Sequence, residues 1–196
     1  MFRETKATVQ SLRCIDSRQM TKQGIFLEGN QGSYYWSDAE TKEINASINY
    51  RYQHQVLTLS YSSGEKSFNY SIRVDQSACN YGGVRLWFIC PSPQCMKRVA
   101  KLYMGSSKVF ACRHCNKLNY AIQQMAEKDK ARYHMYKMRD KLGWSYNHVT
   151  FLKRITKPLN MHHKTFNAIV AKHDEYERQF LVNFQAFIDS LDSAQN

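Results

Sequence analysis

Apolar and polar residues alternate along residues 43–74, and this is the clearest pattern in the chain. The apolar positions are Ile44, Ala46, Ile48, Tyr50, Tyr52, then Leu57, Leu59, Tyr61, then Phe68, Tyr70, Ile72 and Val74. A period of two with β-branched and aromatic side chains predicts strands that have one wet face. The break at Gln53–Gln55 and the turn Ser62–Glu65 predict a three-stranded antiparallel meander.

Shorter patterns flank this meander. Gly24–Glu28 and Ser33–Trp36 predict two more strands, joined by the turn residues Gly29–Gly32. Residues 1–80 are therefore predicted to form a small antiparallel sheet, barrel-like or sandwich-like. After the turn at Gly82-Gly83, short strands are predicted at residues 84–89, 98–103 and 108–111.

From about residue 120 the apolar period changes to that of a helix. A basic helix is predicted over residues 121–142, and Gly143 ends it. Its apolar face comprises Ile122, Met125, Ala126, Tyr133 and Tyr136. An amphipathic helix over residues 163–191 follows Pro158, which fits a helix-entry loop. Its apolar side comprises Phe166, Ile169, Val170, Tyr176, Phe180, Phe184, Phe187, Ile188 and Leu191.

Four cysteines lie between the two patterns, as two close pairs with 16 residues between them. They are Cys90, Cys95, Cys112 and Cys115, spaced C-x4-C and C-x2-C. Two tight turns that each offer two thiolates suit a tetrahedral zinc ion. The predicted fold is therefore α+β: an N-terminal antiparallel β-sheet (1–80), a central four-cysteine zinc ribbon (81–120) and a C-terminal helical hairpin (121–196). A site with four protein ligands is closed, so one structural Zn2+ is expected.

Three alternatives remain beside this metal site. The two pairs could instead form disulfides, and His114 could replace one cysteine as a ligand. Cys14 and Cys79 are expected to be buried as small hydrophobes, with Cys79 as a spare ligand. The amino terminus shows no apolar signal segment, and no apolar stretch reaches the length of a membrane span. We therefore expect a cytoplasmic protein without a membrane partner, where reduced thiols favour metal over disulfides.

The net charge of +12 is concentrated in the middle of the chain. Residues 79–118 contain seven Lys/Arg and no Asp/Glu, whereas residues 1–78 contain nine and eight. Residues 119–164 carry ten basic and three acidic residues, and residues 165–196 carry two and five. Basic residues interleaved with Trp87, Tyr103 and Tyr120 predict contacts to phosphates and bases of a nucleic acid. The alternative is that these cations are simply solvated above an aromatic core.

The predicted nucleic-acid contacts comprise ten cations: Arg85, Lys97, Arg98, Lys101, Lys108, Arg113, Lys117, Lys128, Arg132 and Arg139. No phosphate-binding, dinucleotide, serine-hydrolase or zinc-protease motif is present in the sequence. We identify no carboxylate at ligand spacing beside the histidines at positions 134, 148, 162, 163 and 173, and therefore no second metal site. We therefore expect no enzymatic activity.

The segment from Gly82 to Tyr120 carries a wider signature around the cysteines. Its members are Gly82, Gly83, Arg85, Trp87, Phe88, Cys90, Pro91, Cys95, Leu102, Tyr103, Phe110, Cys112, Arg113, Cys115, Leu118 and Tyr120, with a later element at Lys157, Pro158, Met161, His162 and Thr165. This signature resembles a widespread, uncharacterised bacterial zinc-ribbon family found on chromosomes, plasmids and prophages. The chain departs from the family in its first pair, where four residues replace the usual two.

These observations together predict a zinc-ribbon protein that binds DNA or RNA. We expect a non-catalytic subunit or accessory factor of a larger complex, and the resemblance adds the expectation that a mobile element encodes it. The alternative is a protein–protein adaptor with a purely structural zinc site. Its partner would dock on the N-terminal sheet or the last helix, because aromatic residues are enriched at interfaces.

Overall fold

The computed structural model describes residues 6–38, 40–144 and 156–193. The described chain is α+β, as predicted, and it divides into two compact units, Met1–Ala121 and Ile122–Asn196. The first unit contains, in chain order, β1 (Cys14–Asp16), α1 (Ser17–Lys22), β2 (Gln31–Ser37), β3 (Ile44–Gln53), β4 (Val56–Ser63), β5 (Lys66–Ala78), β6 (Val84–Ile89), β7 (Arg98–Val99), β8 (Lys101–Met104) and β9 (Phe110–Ala111). A 3-10 turn at Ala121–Gln123 precedes α2 (Glu127–Leu142) and α3 (His163–Ser193).

The larger sheet consists of β2 to β7 in chain order, all antiparallel. The predicted meander is confirmed as β3, β4 and β5. The hairpin between β3 and β4 turns at His54 and Gln55, with φ of 49° and 59°. Two residues in the left-handed region are what a two-residue turn of type I′ requires. At the next hairpin, Gly64 (φ 61°) supplies this conformation without a steric cost.

The predicted strand at Gly24–Glu28 is wrong, because this segment follows a helix. Asp16 accepts a hydrogen bond from the backbone N–H of Arg18 at 3.0 Å and so caps the start of α1. Gly24 then takes a φ of 70° after the helix, and the amide of Ile25 bonds back to the Met20 carbonyl. A helix of six residues is too short to show a helical period in the sequence.

A smaller sheet of three strands has the order β1-β8-β9. The predicted strand over residues 98–103 is therefore divided. Its first part, β7, pairs with β6 in the larger sheet, and its second part, β8, pairs with β1 in the smaller one. Both sheets contribute to one hydrophobic core, in which Ile15, Leu102 and Phe110 of the smaller sheet join Leu57, Leu59, Ile72 and Phe88 of the larger.

The second unit contains α2 and α3, which pack against each other. The predicted basic helix begins at Glu127 and not at residue 121, because residues 121–123 form the 3-10 turn. Gly143 ends it with a φ of 65°, as predicted. The buried face is Ala131, Met135, Met138 and Leu142, and not the predicted tyrosine face. Tyrosines at the edge of such a face keep their hydroxyls near water.

Helix α3 covers the predicted range and extends it by two residues. Its burial is lower than the predicted apolar side suggests, since His173 is the one fully buried residue among its described positions. Neither α3 nor any other helix in the described ranges is long and apolar enough to cross a membrane.

Candidate metal centre

The ends of three short strands bring the four cysteines together. Cys90 follows β6 directly, and Cys95 lies three residues before β7. The amide of Cys90 donates to the Lys97 carbonyl at 3.0 Å, which closes the loop between these two strands. Cys112 follows β9, and Cys115 is in the turn after it. The larger sheet therefore supplies one cysteine pair and the smaller sheet supplies the other.

The four sulfur atoms all lie within 4.8 Å of one another, so this group can hold a metal ion. The Sγ–Sγ distances are 3.9 Å from Cys90 to Cys115, 3.7 Å from Cys95 to Cys112 and 3.6 Å from Cys112 to Cys115. All four cysteines are free in the structure. The distances exceed the ~2.05 Å of a disulfide, and the close contacts run between the two pairs as well as within one.

Backbone amides point at two of the sulfur atoms. The N–H of Cys112 donates to Cys90 Sγ at 3.3 Å. A hydrogen bond from the backbone of Lys97 lowers the pKa of the Cys95 thiol to about 7. Burial raises the pKa of the Cys90 thiol to about 12. The centre thus contains one thiol that ionises readily and one that requires a bound cation to become a thiolate.

Exposure differs within each cysteine pair, because the first cysteine of each pair, at a strand end, is buried and the second is more exposed. Cys90 and Cys112 are buried, Cys95 is half-buried and Cys115 is exposed. In the turn after Cys95, Met96 adopts a φ of 46°, which is uncommon for a residue with a side chain. The centre is therefore anchored at its inner side by the two strand-end cysteines and reaches the surface at Cys115.

Two tyrosines of the larger sheet hold the strand that leads to the second pair. The Tyr70 hydroxyl accepts the backbone N–H of Phe110 at 2.9 Å and lies 3.0 Å from the Tyr61 hydroxyl. Tyr61 donates to the Lys108 carbonyl at 2.6 Å. Burial raises the pKa of Tyr70 well above its ordinary value, so it stays a neutral hydrogen-bonding group. These bonds fix β9, and with it Cys112, against the larger sheet.

Asn116 fixes the same region from the other side. Its side-chain amide donates to the carbonyls of Tyr103 at 2.9 Å and Ala111 at 3.1 Å, and so bridges β8 and β9. Gly105 leaves room for this side chain, because a Cβ at that position would lie 2.0 Å from Asn116 Oδ1. The residue directly after Cys115 is thus held by the strands that lead to Cys112.

The remaining candidate ligands lie outside this group. His114 is exposed and does not join the four cysteines. Cys14 is half-buried, and burial raises the pKa of its thiol. Cys79 is exposed, so its predicted burial is wrong. It lies between β5 and β6, where a turn with Gly82 and Gly83 at positive φ keeps it at the surface.

Sequence reasoning overlooked the carboxylates beside His173, which with Asp174 and Glu177 forms a second group of possible ligands. In the structure this group already binds the guanidinium of Arg139. Arg139 donates from Nε to His173 Nε2 at 3.0 Å and from Nη2 to Glu177 at 3.0 Å. The imidazole lone pair is therefore used, and we assign the group to helix packing. His162 and His163 are exposed, His134 stacks on Tyr176, and His148 lies outside the described residues.

The ten predicted nucleic-acid contacts fall into distinct environments. Four cations pair with carboxylates: Arg98 with Asp75 at 2.5 Å, Lys101 with Asp16 at 3.6 Å, Arg132 with Asp129 at 3.3 Å, and Arg139 with Glu177 at 3.0 Å. The Arg139 side chain is only 13 % exposed, so it is the least accessible of the four. A paired cation has less charge to offer an incoming phosphate.

Three further cations lie over aromatic rings: Arg85 over Trp87 at 4.0 Å, Arg113 over Tyr120 at 4.9 Å, and Lys128 over Phe187 at 5.3 Å. Lys97, Lys108 and Lys117 are exposed in turns near the cysteines. The structure thus gathers seven of the ten candidates in the first unit, and Lys128, Arg132 and Arg139 belong to the second.

Two arginines that sequence reasoning missed lie on the outer face of the larger sheet. Arg51 in β3 and Arg73 in β5 are exposed. Arg51 is followed by the buried Tyr52, and Arg73 lies between the buried Ile72 and Val74. Alternation along each strand is the signal that could have found them, because it places both at outward positions. The nearly balanced charge of residues 1–78 obscures that signal.

Comparison with protein-family models, curated proteins and solved structures gives no match to this chain.

Proposed function

We propose that the four cysteines bind one structural zinc ion within a zinc ribbon. A Zn–S bond of ~2.3 Å gives a tetrahedron whose sulfur–sulfur edges are about 3.8 Å long. The Sγ–Sγ distances of 3.6, 3.7 and 3.9 Å support this fit. Four thiolates leave no open position for water or substrate. The ion would contribute roughly 10–16 kcal/mol of apparent folding free energy.

We propose further that the first unit binds nucleic acid through the basic surface around this centre. One observation carries the proposal: residues 79–118 contain seven Lys/Arg and no carboxylate. In the structure Arg98 and Lys101 pair with Asp75 and Asp16, and four of the other cations are exposed, namely Arg85, Lys97, Lys108 and Lys117. Clustered exposed cations form the electrostatic footprint of phosphate recognition.

The test is a binding panel on protein of measured zinc content. Single- and double-stranded DNA and RNA are titrated at about 50 mM and about 200 mM salt, since released counterions make affinity fall steeply between these values. Removing one phosphate-binding cation lowers the salt slope by about one. The variant K97E with K117E should therefore lower it by about two. The matched control K22E with K66E changes the net charge equally at exposed sites and should leave the slope unchanged. Flat salt dependence refutes the proposal.

For the wider setting we propose a cytoplasmic, non-catalytic subunit or accessory factor of a larger complex. The resemblance adds the expectation that a mobile element encodes it. The six free cysteines agree with a reducing compartment. The contacts between α2 and α3 support a helical hairpin as the second part of the molecule.

A second candidate function is that of a protein–protein adaptor. It is favoured by exposed apolar side chains on α3: Leu181, Val182, Phe184, Phe187 and Leu191 are each 46–64 % exposed. An adaptor would retain a specific protein partner after nuclease treatment and high salt. The variant F184S with L181S should release that partner while zinc content stays the same. Retention of the partner by this variant would exclude α3 as the docking face.

A further inference from the structure

The outer face of the larger sheet carries a row of arginines around one tryptophan. Strand pairing places Ser77 opposite Arg85, Asp75 opposite Trp87, and Ile89 opposite Arg98. Arg73 lies one residue before Val74, which pairs with Phe88, so the same register puts Arg73 beside Ile89. Four residues of β6 separate the two ends of this row, or roughly 13 Å. We call the surface formed by Arg73, Arg85, Trp87 and Arg98 the arginine face.

Its charge is almost uncompensated. Asp75 is the sole carboxylate at the outward positions of the described strands β2 to β7, and Arg98 pairs with it. Neither Arg73 nor Arg51, farther along the face in β3, forms an ion pair within the described part of the chain. Apart from Arg51, the other outward residues of these strands are uncharged, and they include hydroxyl and amide groups such as Ser60, Ser71 and Asn69.

The tryptophan is held in a fixed position. Its Nε1–H donates to Ser77 Oγ at 2.9 Å, and the Arg85 guanidinium lies 4.0 Å from the centroid of its ring. Two planar groups are thus stacked before any ligand arrives. A rigid stack loses little conformational entropy when a further planar group joins it. Aromatic rings and guanidinium planes on a sheet are the surfaces on which unpaired bases stack.

We propose that the arginine face binds single-stranded nucleic acid, with bases stacked on the Arg85–Trp87 pair and a phosphate on Arg73. This inference rests on the proposed function and specifies its ligand. The bases of a duplex are paired and stacked on one another, so they cannot stack on Arg85 and Trp87. An unpaired strand has bases that are free to stack on both groups.

The experiment measures binding of fluorescein-labelled oligothymidine and oligouridine of about 12 nucleotides, and of a hairpin duplex of matched length, to the full zinc-loaded chain. Fluorescence anisotropy gives affinity, and tryptophan emission reports stacking. The wild-type signal minus that of W87F isolates Trp87 from the other two tryptophans. Comparison of the two single strands distinguishes RNA from DNA as the source of the ligand.

We expect both single strands to quench Trp87 and at least one to bind about tenfold more tightly than the duplex, because its bases are free to stack on the aromatic ring. R73E and R85E should each weaken binding about tenfold. K66E is the matched control for R73E: it makes the same charge change on the same strand, seven residues from Arg73, and should bind like the wild type. W87A should weaken binding about tenfold while W87F, which keeps a ring, weakens it less. Circular dichroism and zinc content verify that each variant is folded.

The outcomes separate this inference from the proposed function. If no nucleic acid binds, both are overturned. If binding occurs and depends on Lys97 and Lys117, but R73E and R85E bind like the wild type, the proposed function stands and the inference fails. Duplex binding equal to or tighter than single-strand binding also overturns it. Since Arg73 and Arg85 are exposed, their variants decide the question even if W87A does not fold.

Discussion

The hydroxyl of Tyr70 provides a direct test of how the centre is held in place. Y70F removes one oxygen atom that accepts the Phe110 N–H at 2.9 Å. Tyr61 gives its own proton to the Lys108 carbonyl, so Tyr70 is the donor in the 3.0 Å contact between the two hydroxyls. The substitution therefore removes one accepted and one donated hydrogen bond, and leaves the ring in place.

The expected cost follows from burial. Phe110 is fully buried, so its backbone N–H cannot form a hydrogen bond to water when its acceptor is removed. An unsatisfied buried donor costs about 1–3 kcal/mol, and loss of the bond between the hydroxyls contributes ~1 kcal/mol more. We expect the free energy of unfolding to fall by about 2–4 kcal/mol. In urea this corresponds to a midpoint shift of roughly 1–2 M.

Urea unfolding of the zinc-loaded protein measures this change, and a competing chelator measures zinc affinity in parallel. Zinc affinity should fall as well, because Phe110 lies two residues before Cys112. The control is Y35F, which removes the hydroxyl of a tyrosine that is 55 % exposed and should change stability by less than ~0.5 kcal/mol. A loss below ~0.5 kcal/mol in Y70F would show that this bond does not hold β9.

Three further predictions concern the first unit. C112S should release the metal and unfold the ribbon, whereas C79S should retain both the metal and the folded ribbon. Zinc analysis and circular dichroism measure these two properties. Equal metal content in the two variants would contradict the ligand assignment. Burial raises the pKa of the Asp16 carboxyl, but its bonds to Arg18 outweigh this and lower the pKa overall. Its stabilisation is therefore present above the unfolded pKa of ~3.9 and disappears as pH falls through the folded value. D16N should be less stable at pH 7 by about 1–2 kcal/mol, and the gap to the wild type should narrow toward pH 3; a gap independent of pH would refute this. G105A should push Asn116 from its two carbonyl partners and cost about 1–3 kcal/mol in thermal or urea unfolding, and a neutral result would mean that the side chain rearranges freely.

The parts of the fold that could be predicted are those set by local pattern. Strands β3, β4 and β5 follow from alternation, and Gly143 ends α2 because a glycine adopts the left-handed conformation there. Helix α1 could not be predicted because six residues carry too little periodicity. The division of residues 98–103 between two sheets could not be predicted either, because the partner of β8 is β1, which lies more than 80 residues earlier. Pairings of that range leave no local signal.

The same distinction applies to the site. The four cysteines could be identified because ligand spacing within each pair is local, and the structure brings all four together. Their support could not be identified, since Tyr70 and Phe110 are 40 residues apart. The helical position of Arg139 groups it with surface cations, yet it bonds to His173 and Glu177. Charge counts identify cations but not the carboxylates that tertiary packing places beside them.

The pairing of β1 with β8 affects when the smaller sheet can form during synthesis and whether the cysteine-bearing segment can be transferred to another protein. As the chain is synthesised, Cys14–Asp16 has no partner until Lys101–Met104 has been made, so the smaller sheet forms only after most of the first unit exists. The segment 81–120 alone would keep β6 beside β7 and β8 beside β9, but it would lack β5 and β1, which pair with the other sides of β6 and β8. The cysteine-bearing segment is therefore not a portable module, and recombination that moved it into another protein would need to carry both flanking sheets.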